Sequence, residues 1–219
     1  MFALLFAAVA ALFFVNLSLG AVKIPFSEVW CALTGGIPSR ETWQYIILNY
    51  RLPKALTAIL AGMGLSVSGL LMQTLFRNPL AGPYVLGLSS GSSLGVAFIL
   101  LGAGLLPPAL SAIFLSSYGL VLASVLGSLM VMAAVLLVAQ RLRDTMAILI
   151  VGLMFGSFTS AIVGVLTYFS TAEQLQKFTF WSLGSLGNLS WENIAVLTAA
   201  CLAGLLLSAF CLKPLNALL

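Results

Sequence analysis

The chain has 219 residues, of which 62% are hydrophobic and only 6% charged, with a formal net charge of +4 and no histidine. Soluble domains run near roughly 45–50% apolar and about 25% charged, so a soluble globular, disordered or collagenous chain is excluded. The cations are scattered without a basic run, which removes a nucleic-acid reading and leaves them as charges at membrane boundaries.

At about 20 residues per spanning helix, this length accommodates about five to seven spans, and the composition predicts an all-α, polytopic membrane bundle. The first span is expected over residues 1–20, because no ion precedes Lys23. A signal peptide is disfavoured there, since the basic leading region is missing and the apolar stretch is long. Residues 21–54 hold Lys23, Glu28, Arg40, Glu41, Arg51 and Lys54 among Pro25, Pro38 and the Gly35-Gly36 pair. They read as an extramembrane loop with a short surface helix.

A second span is expected over 55–76, closed by Arg77-Asn78-Pro79. Residues 78–140 carry no charge and are broken at Gly102-Ala103-Gly104 and Pro107-Pro108, which predicts spans at 84–105 and 110–139. Arg141, Arg143 and Asp144 then connect to a fifth span over 145–169. Residues 170–192 carry Glu173, Lys177 and Glu192, with Trp181 and Trp191 suited to an interfacial belt, and a sixth span is expected over 193–212.

Charge alone does not orient these spans. One side would hold Arg77, Arg141, Arg143 and Lys213, the other Lys23, Arg40, Arg51, Lys54 and Lys177, nearly a tie under the positive-inside rule.

Small residues recur at helical spacing. Gly87, Gly91 and Gly95 form one stripe, and Gly152, Gly156, Ser160 and Gly164 another; Gly62 with Ser66 and Gly64 with Ser68 add two more. Such spacing lets helix backbones approach closely in lipid, and it also suits a central passage kept wide. No ionised residue falls inside a span, which disfavours a proton relay but not a sodium site built from carbonyls and hydroxyls. No carboxylate pair, nucleophile–base set or phosphate-cradling loop is present, so no enzymatic chemistry is expected and any ATP hydrolysis belongs to another chain. Cys31, Cys201 and Cys211 lack metal-ligand spacing and are expected to be small buried hydrophobes; no metal or other cofactor is expected.

The segment from Arg51 to Gly95 reads RLPKALTAILAGMGLSVSGLLMQTLFRNPLAGPYVLGLSSGSSLG. Its Arg51-Leu52-Pro53, Ser68-Gly69, Gln73, Asn78-Pro79-Leu80-Ala81, Pro83, Gly87 and Gly91 stand in the order of a family pattern. The chain closely resembles the FecCD-type permeases, the membrane subunits of ATP-driven importers for iron-siderophores, haem and cobalamin. Trp181-Ser182-Leu183-Gly184-Ser185-Leu186 and Leu215-Asn216-Ala217-Leu218-Leu219 also look like family landmarks. Lys54 stands where the family usually has arginine, which keeps the charge but loses the planar fork.

The resemblance implies about ten spans at about 20 residues each. The chain therefore reads as the N-terminal part of one permease domain, about two-thirds of it, whether as a fragment, a truncated gene or a split subunit. It further implies a cytoplasmic N-terminus in the inner or plasma membrane and a dimer with a second permease subunit around a central passage. Its partners would be ABC ATPase subunits inside and a periplasmic or lipid-anchored substrate-binding protein outside. Arg51 and Lys54 would dock that binding protein. Asn78 and Leu80 would form one cytoplasmic gate, and Asp144 and Thr145 the other. A helix-end anchor at Arg51 and a plain helix stop at Asn78-Pro79 remain the structural alternatives. A sodium-coupled secondary transporter fragment and a non-transporting scaffold remain the functional ones.

Overall fold

The structure is a computed structural model that describes residues 1–102, 114–142, 144–187, 189–211 and 213. Among them it is all helix, with no strand. The helices are α1 (Phe2–Ser18), α2 (Phe26–Leu33), α3 (Glu41–Ile46), α4 (Leu52–Phe76), α5 (Leu88–Leu100), α6 (Ser117–Ala139), α7 (Thr145–Tyr168), α8 (Ala172–Leu183) and α9 (Trp191–Phe210). A π-helical turn at Ile47–Arg51 joins α3 to α4, and a 3₁₀ turn at Pro83–Leu86 precedes α5. Among the described residues, four helical runs are long and apolar enough to cross a membrane: Glu41–Phe76, Ser117–Ala139, Met146–Tyr168 and Trp191–Phe210. Helices α1 and α5 are apolar but shorter, at 17 and 13 residues.

Helix ends follow local chemistry. The amides of Gly119, Met146, Gln174 and Asn193 donate to the side chains of Ser116, Asp144, Thr171 and Ser190, so a short polar residue caps the start of α6, α7, α8 and α9. At α8 the reciprocal bond from the Thr171 amide to Gln174 completes a capping box.

Two expected element boundaries change. Residues 41–54, expected as loop, are helical and continuous with the following span, making a run of 36 residues through Phe76. The cause lies at Pro53, which has no N–H to donate and whose ring crowds the carbonyl four residues back. The π turn just before it, closed by the Leu52 amide on the Ile47 carbonyl, widens the helix where Pro53 would otherwise break it. The span expected over 84–105 is the shorter α5, whose first turn is displaced by the 3₁₀ segment at Pro83–Leu86. Residues 103–113, where the third and fourth spans were expected to meet, lie outside the described residues.

The chain divides into two compact units, and the division falls within α4. The first unit comprises Met1–Val67 and Ser185–Lys213. Its core gathers Leu17, Ile24, Val29, Ala32, Ile47 and Ala55 from α1, α2 and the start of α4. The second comprises the described residues of Ser68–Gly184. In it α5 packs on α6 and α7, while Phe178 and Trp181 of α8 close over Val96, Ala97 and Leu100. Trp181, expected at an interface, is half-buried and stacks on Phe178 at 6.2 Å. Cys211, expected to be buried, is exposed, and Cys31 and Cys201 are half-buried.

Candidate functional site

Arg51 and Lys54 are positioned by the π turn and the first turn of α4. The two cations do different things. The Arg51 guanidinium turns back onto the end of α1: Nη1 donates to the carbonyls of Leu17 at 2.6 Å and Ser18 at 2.8 Å, and Nη2 donates to Val22. Those carbonyls are among the last of α1 and of the turn that follows, groups that no helical N–H satisfies. A cation here complements the negative end of the helix dipole. Gly20 makes room for it, because a Cβ there would lie 2.8 Å from Nη2. Arg51 is therefore half-buried and committed to α1. Lys54 is exposed and has no ion pair or hydrogen bond among the described residues. Both side chains line a groove of about 400 Å³ together with Asn16, Leu19, Val22 and Tyr50.

The Asn78–Leu80 segment follows a defined helix stop in the second unit. Arg77 takes a left-handed conformation, φ 47°. The Asn78 amide reaches the Gln73 carbonyl at 3.1 Å and the Arg77 amide the Thr74 carbonyl at 3.2 Å, the paired bonds of a Schellman motif. Asn78 then folds the next turn, its Oδ1 accepting from the Leu80 amide at 2.9 Å, while Gln73 Nε2 donates to the Pro79 carbonyl at 3.1 Å. Below the turn Phe76, Ala81 and Leu149 form a buried cluster. The result is a stiff corner that presents Leu80 outward, 82% exposed.

Asp144 lies at the start of α7, its Oδ1 accepting from the Met146 amide at 3.0 Å, so it acts as an N-cap; Thr145 is the first helical residue. Arg143 lies outside the described residues.

The glycines divide by what they touch. A Cβ on Gly91 would meet the Gly127 carbonyl oxygen at 2.7 Å, and one on Gly95 the Ala123 carbonyl oxygen at 2.1 Å. A Cβ on Gly152 would meet the Val85 carbonyl oxygen at 2.6 Å. Gly156 is looser, 3.4 Å from Ser90 Oγ, and Gly87 has φ 77°, a conformation that suits glycine. Gly62, Gly69 and Gly164 face nothing within 4 Å in the chain.

The partner surface on α6 was missed. Gly127 faces both Gly91 and Gly95, and its Cβ would lie 2.2 Å from the Gly91 carbonyl oxygen. Ser92 and Ser124 share a 2.6 Å hydrogen bond across the helices, and Ser128 Oγ donates to the Leu88 carbonyl at 3.0 Å. The spacing Ala123–Gly127 with Ser124–Ser128 carried the signal, the same four-residue repeat read on α5.

The sequence profile of the FecCD transport family matches residues 8–219. The hemin transport system permease protein HmuU of Yersinia pestis is 35% identical over 202 residues, 92% of this chain and 58% of that protein. The vitamin B12 import system permease protein BtuC of Klebsiella pneumoniae is 33% identical over 186 residues, 84% of this chain and 51% of that protein. Among solved structures, a transporter assigned to the metal-chelate ABC type, in an inward-facing conformation, superposes with a TM-score of 0.75 at 27% identity, covering 98% of this chain and 62% of that one. The chain thus spans between about half and three-fifths of the length of the curated relatives it matches. With that match running from α1 to Leu219, and with apolar helices long enough to cross a bilayer, the chain belongs to the FecCD transport family.

Proposed function

We propose that this chain forms part of the permease subunit of an ATP-binding-cassette importer for a chelated metal, haem or cobalamin. The observation that carries the reading is the family match across residues 8–219. In this reading the chain lies in the inner or plasma membrane with its N-terminus in the cytoplasm. It pairs with a second permease subunit, receives substrate from an external binding protein and moves it as separate ATPase subunits close. The chain supplies a path and gates, with no covalent chemistry.

The corner at Asn78–Leu80 suits a cytoplasmic gate. Its backbone is held by the Asn78 and Gln73 side chains, so Leu80 can meet an apolar partner across a pore without the turn rearranging. Asp144 and Thr145 are proposed as the second gate, set by the start of α7. Arg51 and Lys54 are proposed to dock the external binding protein, Lys54 through its exposed ammonium and Arg51 at the end of α1, which its donors to Leu17, Ser18 and Val22 hold in place.

The decisive experiment is ATP-dependent uptake in proteoliposomes that hold the whole permease containing this sequence with its cognate ATPase and binding protein, offered haem, a ferric siderophore and cobalamin. Uptake of one of these that requires both partners supports the reading; uptake driven by a sodium gradient without ATP overturns it. For the gate, Leu80→Cys in both protomers should crosslink and block uptake until reduced. Efficient crosslinking with unchanged uptake removes Leu80 from the gate.

A further inference from the structure

The corner after α4 contains Pro79 and Pro83, which bring carbonyls but no N–H groups. Its backbone is therefore short of donors, and side chains supply what is missing. The Ala81 amide reaches the Asn78 carbonyl at 3.1 Å and closes a four-residue turn with proline in its second place. Within that turn the peptide joining Pro79 to Leu80 is held at both of its polar ends. Its N–H donates to Asn78 Oδ1 at 2.9 Å, and its carbonyl accepts from Gln73 Nε2 at 3.1 Å. A planar peptide fixed at both ends, in a closed turn, fixes the direction in which the next side chain leaves the backbone.

The two clamps do different work. Asn78 belongs to the turn and ties it to itself, whereas Gln73 belongs to α4 and ties the turn to the helix. Ending α4 does not require the Gln73 side chain, because the Arg77 and Asn78 amides bond the Thr74 and Gln73 carbonyls without it. Its carboxamide is used at Pro79 instead. Without Gln73 Nε2 the turn keeps its internal bonds, but the Pro79 carbonyl loses that donor and the Leu80 end of the turn is released from α4. We propose that Gln73 is a positioning residue of the cytoplasmic gate, locking the Pro79–Leu80 peptide to α4 so that Leu80 moves only as the helix moves. The inference rests on the reading of Leu80 as a gate residue, and adds that closure depends on a polar side chain of α4 as well as on the turn.

The experiment uses the whole permease containing this sequence. A nitroxide at Leu80→Cys reads the mobility of the corner, and one at Leu126→Cys, exposed on α6 in the same unit, is the control. Gln73→Met keeps the side-chain length and removes the donor, and Gln73→Lys keeps a donor at similar reach. In Gln73→Met the mobile fraction of the label at 80 should grow about fivefold, the equilibrium factor of one neutral hydrogen bond, with the label at 126 unchanged. Gln73→Lys should restore the wild-type spectrum. With Leu80 intact, proteoliposomes are preloaded with haem, a ferric siderophore or cobalamin, whichever wild type takes up. Gln73→Met should then raise ATP-independent efflux by a similar factor, and Gln73→Lys should not. An unchanged label at 80, or equal loosening of both labels, overturns the clamp. A freed label at 80 with wild-type efflux shows a positioned Leu80 that closes nothing, and overturns the role of Gln73 in transport together with the gate reading.

Discussion

Gly95→Ala should destabilise the second unit, whereas the same change at Gly164 should not. At Gly95 the added methyl would lie 2.1 Å from the Ala123 carbonyl oxygen and 3.2 Å from the Gly127 Cα. Ordinary contact begins beyond about 3.4 Å, so α5 and α6 must part by about 1 Å, and the obstruction is backbone that no rotamer change relieves. Overpacking of this kind costs about 1–3 kcal/mol. Separation also stretches the Ser92–Ser124 bond and the Ser128 bond to Leu88, each contributing about 1 kcal/mol. Against this, removing a helical glycine returns about 0.5–1 kcal/mol. The net expectation is a loss of about 2 kcal/mol, or about 4–8 °C in Tm for a chain of this size. Gly164 lies in α7 with nothing within 4 Å, so Gly164→Ala should leave Tm unchanged or raise it slightly. Tryptophan fluorescence melting in detergent reads both variants, since Trp181 packs within the same unit. A Gly95→Ala chain as stable as wild type, or an equal loss at Gly164, refutes the close-packing argument.

Arg51→Gln should lower Tm by the equivalent of about 1.5–3 kcal/mol, because charged hydrogen bonds to the α1 carbonyls are lost. Arg51→Lys should recover little of it, since a single ammonium cannot reproduce the fork that reaches Leu17, Ser18 and Val22; full recovery would show that charge alone suffices. Asn78→Ala should destabilise the corner by about 1 kcal/mol, while Asn78→Asp, which keeps the acceptor for the Leu80 amide, should not; equal effects in a melt would remove the side-chain bond from the account. The Ser39 hydroxyl and amide both donate to Glu28 and hold its carboxyl below the ordinary carboxylate value. A depressed folded pKa means this contribution is present above the unfolded value and lost as pH falls through the folded one. Limited proteolysis between α2 and α3 should therefore speed up in acid for wild type but be insensitive to acid in Glu28→Gln, and identical acid responses would count against it.

Much of the fold was legible because bilayer solvation imposes one rule, that apolar runs must close their hydrogen bonds internally as helices. The caps went unread although each follows a local rule: Ser116, Asp144, Thr171 and Ser190 each satisfy an amide two or three residues ahead. The start of α4 was not legible. Pro53 looks like a helix end, and only a π turn, which has no sequence signature of its own, lets the helix pass through it. The glycine repeat on α5 was readable, but its partner surface was not assigned, since a repeat names a face and not the helix it meets. Gly127 showed the same period, yet Gly62 and Gly164, equally periodic, face open space within the chain.

The charged residues show most clearly where sequence reasoning stops. Arg51 and Lys54 are three apart, at one end of one helix, and by composition they are equivalent cations. Their roles part because of groups 29 to 34 residues away: the carbonyls of Leu17, Ser18 and Val22 exist as acceptors only because α1 ends there. An arginine within reach of the carbonyls at and beyond a helix end gains several charge-assisted bonds and gives up little hydration, because its guanidinium is weakly hydrated. A compact, strongly hydrated ammonium has less to gain from the same move and remains at the rim. Lysine at position 54, the departure from the family pattern, stays exposed while Arg51 is committed to the end of α1. Exchanging the two residue types tests that division directly. Arg51→Lys with Lys54→Arg preserves the charge, yet it should loosen the end of α1 and lower Tm as Arg51→Lys alone does. If the exchanged chain melts with wild type, total charge alone suffices and the separate roles assigned to the two positions fail.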